Sequence, residues 1–246
     1  NALACTGIIV GKDASADGTM ILARNEDFNS GFNPKRFIVV DTKIYHNKKS
    51  PDFFYNPDTG FKILMPVKKT YKYTLIPDVD QDYGVFGEAG TNEKGVIAST
   101  TVSANSNDEI LAVDPYVKGG LTEADMASLI LMSSKTAREG VELIASIIDK
   151  HGAGEGNILF VADQNEIWYM EIYTGHQYAA VKVPNDVYAI VPNAYYLGNV
   201  DLNSKDTIVS KDIRNLPAKH GLLKEKGKGK GFHLALTYRE KQNKYN

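Results

Sequence analysis

The chain has 246 residues, of which 43% are hydrophobic and 24% are charged, enough to bury a sizeable core in one large domain or at most two. Its 28 basic and 30 acidic residues leave a formal net charge of −2, which gives no electrostatic reason to expect a nucleic acid or a membrane surface as a partner. The longest apolar runs, such as residues 158–162, are far too short to span a bilayer.

The N-terminus contains the only cysteine of the chain, Cys5, so no internal disulfide can form. Residues 2–4, Ala-Leu-Ala, have the small-residue pattern that precedes a signal-peptide cleavage site. We interpret residues 1–4 as a removable leader or a tag remnant, and their removal would make Cys5 the first residue. A secretory origin therefore stays open, although a cytoplasmic location is slightly favoured.

Strands dominate the first hundred residues. Residues 6–10 and 19–23 are apolar and rich in β-branched side chains, and the polar turn at 11–18 between them predicts a hairpin. Further strands with the same character are predicted at residues 37–40, 71–76 and 95–102.

The apolar period then becomes helical. Thr122 followed by acidic residues is a helix N-terminus signal, with apolar residues at helical spacing as far as residue 132. A second helix is predicted over 136–151, closed by Gly152. Strands return at residues 158–162, 167–173, 178–183 and 187–191. Strands, two helices and strands again predict an α+β fold with a largely antiparallel sheet.

The last part of the chain differs in composition. Residues 224–231, Lys-Glu-Lys-Gly-Lys-Gly-Lys-Gly, are predicted to be a flexible charged loop, and 232–241 fits a helix. Because no internal repeat and no linker precede this loop, we predict a single domain over residues 1–246.

Cys5 is the first candidate for chemistry. A thiol has an unperturbed pKa of about 8.5, so at neutral pH it needs a nearby base or positive charge to react. If Cys5 is the first residue, its own α-amino group, with a pKa of about 8, supplies that base. None of the five histidines makes an obvious partner. The alternative, a small buried apolar residue at the start of a strand, is the commoner fate of a lone cysteine.

A polar cluster closes the second strand at residues 24–27. The predicted hairpin brings Arg24 and Asp27 near Cys5, where a guanidinium can orient a thiolate and a carboxylate can hold an ammonium group. An ordinary solvated turn is the alternative reading of the same four residues.

Taken together, these segments resemble the start of the C69 dipeptidase family, N-terminal-nucleophile hydrolases related to penicillin V acylase and bile salt hydrolase. Ordered matches continue to about residue 202. The resemblance is carried by the segments 5–18, 23–27, 31–37, 87–93, 137–140, 166–171 and 183–186.

The resemblance implies a four-layer αββα sandwich with largely antiparallel sheets, and it implies roles by position. Cys5 corresponds to the nucleophile, and Arg24 and Asp27 correspond to the pair that positions its thiol and amine. Asn193 is similar to the asparagine whose side chain donates to the oxyanion. The other donor would be a backbone N–H near Val102.

The implied function is that of a cysteine dipeptidase that hydrolyses small peptides through a thioester acyl-enzyme. Segments 31–37 and 166–171 favour this branch over the alternative, an acylase of the penicillin V or bile salt hydrolase type. If residues 1–4 stay attached, Cys5 has no free amine and the chain is an unprocessed or non-catalytic relative. Members of the family are longer than this chain, so a missing C-terminal portion and the activity of this chain alone stay open.

No cofactor and no metal are predicted. Residues 78–82 begin like a calcium loop, but Tyr83 takes the place of the required glycine and Ala89 that of the bidentate glutamate. The expected partner is a small peptide, in particular a dipeptide, with no nucleic acid and no membrane, and a homo-oligomer is left open.

Overall fold

The structure, a computed structural model, describes residues 5–26, 35–45, 51–78, 86–226 and 231–240. The strands are β1 Thr6–Val10, β2 Ile21–Asn25, β3 Ile38–Val40, β4 Phe53–Tyr55, β5 Lys62–Leu64, β6 Tyr73–Pro77, β7 Gly87–Asn92, β8 Ile97–Ser103, β9 Asn157–Ala162, β10 Ile167–Ile172, β11 Tyr178–Lys182, β12 Tyr188–Val191, β13 Thr207–Val209, β14 Glu225–Lys226 and β15 Gly231–Phe232. The helices are α1 Asp108–Leu111, α2 Glu123–Ser133, α3 Ala137–His151, α4 Asn215–Lys219 and α5 Leu234–Tyr238.

An eight-stranded antiparallel sheet forms the centre, in the order β13-β11-β10-β9-β8-β7-β6-β3. Its middle strands β9 and β10 are buried at every position, because both faces of the sheet are covered. One apolar core lies between the sheet and helices α2 and α3, and a second core lies between this sheet and a three-stranded one.

The two long helices begin where the sequence predicts, because each has a capping residue. The Asp125 carboxylate accepts hydrogen bonds from the backbone N–H and the hydroxyl of Thr122 at the start of α2. The Thr136 hydroxyl accepts from the Glu139 N–H at the start of α3. Gly152 ends α3 with a φ of 76°, a conformation that favours glycine. These caps fix the helical layer against the large sheet.

The smaller sheet has the order β12-β1-β2, all antiparallel. At its centre Gly7 lies opposite Val191 on one side and Arg24 on the other. A Cβ on Gly7 would lie 2.4 Å from the ring of Phe160 on β9, so the glycine allows the two sheets to approach at this point. The outer face of this sheet exposes Ile8, Ile21, Tyr188 and Ile190.

The predicted α+β class with largely antiparallel sheets is confirmed, as is the predicted hairpin of β1 and β2. The described residues show a helical layer and two sheets, and in this part of the chain no helix covers the outer face of the smaller sheet. The single domain over 1–246 stays a prediction. In the predicted loop at 224–231, β14 pairs with β15, and residues 227–230 lie outside the described part.

Several elements were not predicted, namely β4, β5, β7, β13, α1 and α4. β7 is instructive because its sequence, Gly-Glu-Ala-Gly-Thr-Asn, has no alternating apolar side chains. A Cβ on Gly90 would lie 2.0 Å from the Thr74 carbonyl oxygen, so this strand fits between its neighbours only without that side chain. The predicted helix at 232–241 is shorter, because Arg239 leaves it and bridges to Ser106.

No helix among the residues that the structure describes has both the length and the apolar character needed to cross a bilayer.

Candidate active site

Cys5 lies directly before β1, on the face of the smaller sheet that points towards the large one. Its side chain is 9% exposed. Gly7 on β1 pairs with Val191 on β12, and Cys5 and Asn193 each lie two residues beyond this pair, at the same end of the antiparallel sheet. Arg24 lies on the neighbouring strand β2, and its Nη2 is 3.8 Å from the Cys5 Sγ. The sheet therefore brings three of the predicted site residues to one end.

Arg24 belongs to a partly buried cluster of two basic and two acidic side chains. Its Nη1 lies 3.1 Å from Glu88 Oε2, and its Nη2 lies 3.1 Å from Glu26 Oε2. The Lys35 ammonium lies 2.7 Å from Glu88 Oε1 and also contacts Glu26. The guanidinium is therefore held on both sides while its Nη2 also contacts the thiol.

The electrostatics of the cluster favour the charged forms of Arg24, Glu26 and Lys35, whereas burial opposes the ionisation of Glu88. Burial alone would lower the pKa of Arg24, but Glu88, Cys5 and Glu26 raise it above its ordinary value. Burial also opposes the ionisation of Glu26, yet hydrogen bonds from Lys35 and the charge of Arg24 lower its pKa. Glu88 is more deeply buried, and desolvation raises its pKa in spite of Arg24 and Lys35. The result is a fixed positive group beside the sulfur atom.

A metal ion has one candidate position among the described residues. Carboxylate oxygens of Glu26, Asp78 and Glu88 lie within 4.8 Å of one another. Two of these carboxylates already bind Arg24 and Lys35, so side-chain cations balance their charge. The absence of a metal stays a prediction.

Asn193 joins the two sheets. Its Nδ2 donates to the Ser103 carbonyl oxygen at 2.6 Å, and its Oδ1 is buried without a hydrogen-bond partner. A side-chain amide has two N–H donors, so one bond to Ser103 leaves a second donor for a ligand. Asn193 is therefore able to act as an oxyanion donor in this position.

Val102 precedes Ser103 on β8, and its side chain is fully buried in the core between the sheets. The register between β8 and β9 shifts between Ser99 and Val102. Such a bulge leaves backbone groups of the longer strand outside the regular ladder. The structure therefore puts an irregular stretch of main chain at the position where the sequence predicts a backbone donor.

A cavity of about 650 Å³ opens beside the charged cluster, between β2 and strands β6, β7 and β8. Its size is within the range that holds small ligands. The residues that line it include the four charged side chains of the cluster and the apolar Leu22, Phe37, Ile76 and Ile97.

The structure thus brings Cys5, Arg24, Asn193 and the backbone at Val102 to one place, whereas Asp27 lies outside the described residues. Sequence reasoning assigned no role to Glu88 or Lys35, although both lie in segments that carry the family resemblance. The presence of an acidic and a basic residue in these segments was the sequence signal that could have identified Glu88 and Lys35 as site residues.

Comparisons with known proteins agree on one family. The sequence model described as Peptidase family C69 matches residues 4–246. The chain is 48% identical over 244 residues to "Probable dipeptidase B" of Streptococcus pyogenes serotype M3, a match that covers 99% of this chain and 48% of that protein. It is 41% identical over 203 residues to "Probable dipeptidase" of Latilactobacillus sakei, covering 82% of this chain and 42% of that protein.

Among solved structures, a mutant conjugated bile acid hydrolase from Clostridium perfringens matches with 14% identity and a TM-score of 0.38, covering 77% of this chain and 51% of that chain. Penicillin V acylase from Agrobacterium tumefaciens matches with 14% identity and a TM-score of 0.32, covering 77% and 49%. This chain spans about half the length of the curated relatives that it matches.

Proposed function

The chain belongs to peptidase family C69, and from this premise we propose that it is a cysteine dipeptidase that hydrolyses small peptides through a thioester acyl-enzyme. The observation that carries the proposal is the contact between Arg24 Nη2 and Cys5 Sγ at 3.8 Å, inside a partly buried cluster of two basic and two acidic side chains. Because Glu26 and Glu88 hold the Arg24 guanidinium in place, it stays beside the Cys5 thiol.

In the proposed reaction the Cys5 Sγ bonds to the carbonyl carbon of the scissile amide. The thiol proton moves to the α-amine of Cys5, which is free once residues 1–4 are removed. The amine then passes that proton to the leaving nitrogen as the C–N bond breaks, which leaves a thioester. Water attacks the thioester, one of its protons moves through the amine to the departing thiolate, and the acid product is released.

Two donors would stabilise the negative oxygen that develops in each tetrahedral intermediate. One is the second N–H of the Asn193 amide, and the other is a backbone N–H in the bulged stretch that ends at Val102. Because the backbone supplies this second donor, the apolar side chain of Val102 is chemically acceptable there. Asp27 is proposed to hold the amine of Cys5 as an ammonium when it carries the proton.

The substrate class rests on the relatives, two of which are named as dipeptidases. Small peptides are therefore the proposed substrates, with dipeptides first.

The decisive experiment combines intact mass, iodoacetamide labelling and a dipeptidase assay on the purified natural protein. We expect a chain that begins at Cys5, takes up one label at the only cysteine and loses dipeptide hydrolysis as the label is incorporated. A chain that still carries residues 1–4 and is inert towards peptides would overturn the proposal. Faster hydrolysis of glycine-conjugated bile salts than of dipeptides would instead assign the protein to the acylase reaction.

A further inference from the structure

A second buried acidic site lies next to the proposed oxyanion donor, at the start of α2. Glu123 is the first residue of this helix, and its backbone N–H donates to Glu155 Oε1 at 2.7 Å. The Glu123 Oε2 accepts from Ser103 Oγ at 3.2 Å and from Asn157 Nδ2 at 3.0 Å. Both glutamates keep a partial exposure to solvent, so a ligand can reach them.

Two side-chain amides of this region, one bonded to Glu123 and one bonded to Ser103, each have an unpaired oxygen. Asn157 is completely buried, its Nδ2 reaches Glu123, and its Oδ1 has no hydrogen-bond partner. The Oδ1 of Asn193 is also buried and unpaired. A buried acceptor without a partner costs about 1–3 kcal/mol, so unpaired oxygens beside a carboxylate indicate a site for a missing donor. An ammonium group, with three N–H donors and a positive charge, has the matching chemistry.

The position of this site relative to the nucleophile fits one particular ammonium group. Ser103 links the two sites, because its carbonyl accepts from Asn193 and its hydroxyl donates to Glu123. Asn193 and Cys5 each lie two residues beyond the Gly7–Val191 pair of β1 and β12, at the same end of the smaller sheet. In a dipeptide the α-ammonium group is one carbon atom removed from the scissile carbonyl. A group that binds this ammonium must therefore lie directly beside the oxyanion donors.

We propose that Glu123 binds the α-ammonium group of the substrate and so selects peptides with a free N-terminus, an inference that rests on the proposed dipeptidase function. Glu155 and Asn157 position the Glu123 side chain, the first through the backbone N–H and the second through the carboxylate. The reaction then prefers cleavage directly after the first residue of a peptide, which is what a dipeptidase does.

The electrostatics around Glu123 indicate a site that lacks a positive charge. Burial raises the pKa of Glu123 to about 8, and the facing carboxylate of Glu155 adds to the effect, whereas Ser103, Arg24 and Asn157 oppose it. Burial and Asp125 raise the pKa of Glu155 as well. Without a ligand the site is therefore short of positive charge, and an arriving ammonium group supplies it.

Two matched substrates test the proposal, a dipeptide and the same dipeptide with an acetylated amine. We expect Glu123→Gln to lower kcat/KM for the free dipeptide by about 10- to 100-fold and to leave the acetylated one unchanged. The amide oxygen of the introduced glutamine would still accept from Ser103 and Asn157, and Glu123→Asp should recover part of the lost preference. Glu142→Gln, on the exposed face of α3, is the control that removes an equal charge elsewhere.

The pH dependence gives a readout that a purely structural role would not move. Because Glu123 must lose its proton to pair with an ammonium, the ratio of kcat/KM for the free over the acetylated dipeptide should rise from pH 6 to pH 7.5 in the native protein. In Glu123→Gln this ratio should be flat. Equal losses for both substrates, or an unchanged ratio, would overturn the proposal.

Measurements of dipeptide affinity test the ammonium site independently of the proposed dipeptidase activity. Calorimetry on Cys5→Ala, with and without Glu123→Gln, measures the affinity for the two dipeptides without turnover. A preference for the free amine that disappears with Glu123→Gln supports the ammonium site, even if the native protein hydrolyses no peptide. Hydrolysis of dipeptides together with identical affinities in both backgrounds would retain the dipeptidase and remove Glu123 from substrate binding.

Discussion

The two faces of strand β10 show two different environments in one protein. Trp168, Met170 and Ile172 point towards the helices, into a core of apolar side chains. Tyr169 and Glu171 point to the other side, where the smaller sheet lies. On that side, polar groups are buried as well, and Glu171 is buried together with its hydrogen-bond donors.

Glu171 illustrates the cost of the second environment. It is completely buried, and burial raises its pKa although the hydroxyls of Tyr169 and Tyr173 and the N–H groups of Tyr196 and Leu197 all donate to it. A carboxylate so placed is tolerated because both of its oxygens accept hydrogen bonds, three at Oε1 and one at Oε2. The helical side therefore supplies stability, and the side of the smaller sheet uses part of that stability to hold polar groups in fixed positions.

The largest expected effect is a loss of hydrolysis that leaves the free energy of unfolding nearly unchanged. Cys5→Ala should abolish hydrolysis, a loss of at least about ten-thousandfold, because no other side chain can form the thioester. Cys5→Ser should abolish or severely reduce it. The free energy of unfolding should change by about 1 kcal/mol or less, since only one small side chain is altered. Turnover assays and urea unfolding measure the two quantities, and unchanged turnover in Cys5→Ala would contradict the mechanism.

The second prediction is a loss of stability with unchanged activity. Leu129→Ala on α2 removes a side chain that is completely buried in the helical core. The unfolding free energy should fall by about 2–5 kcal/mol, because a cavity is left behind. The value of kcat/KM per folded molecule should stay unchanged. A large loss of activity in the folded fraction would mean that the helical side also determines the geometry of the active site.

The third prediction concerns Asn193, whose side chain connects the two sheets. Asn193→Ala should lower kcat by about a hundredfold or more if the amide donates to the oxyanion. Loss of its bond to the Ser103 carbonyl should also reduce stability by about 1 kcal/mol. Steady-state kinetics decide the role, because an effect confined to KM would point to substrate binding instead.

Much of this arrangement follows from local sequence signals. Runs of β-branched residues predicted most of the strands of both sheets, and capping residues such as Thr136 predicted the helix starts. Thiol chemistry and the predicted hairpin raised Cys5 and Arg24 as candidates, and the family resemblance favoured these roles and added Asn193. These signals succeed because each depends on neighbouring residues or on a recognisable order of motifs.

The features that were not predicted depend on contacts between residues that lie far apart in the sequence. Glu88 joins Arg24 from 64 residues away and Lys35 from 53 residues away, and no local pattern shows which charges will meet. Strand β7 was missed because its two glycines suit close packing between neighbours rather than an alternating surface. The ammonium site was missed for the same reason, since Glu123 and Asn157 come together only through the fold.

The smallest expected effect on stability comes from a substitution on the exposed outer face of the smaller sheet, which can be compared with one in the buried helical core. Ile190 on β12 is 65% exposed on the outer face of the smaller sheet, so Ile190→Ala should change the unfolding free energy by no more than about 0.5 kcal/mol. Leu129→Ala provides the matched comparison, because the two substitutions remove side chains of equal size. A loss of about 2 kcal/mol or more for Ile190→Ala would mean that this face is covered in solution. Exposed apolar neighbours such as Ile8 and Tyr188 would then belong to the same covered patch, and sedimentation of the native protein would show whether a second copy covers it.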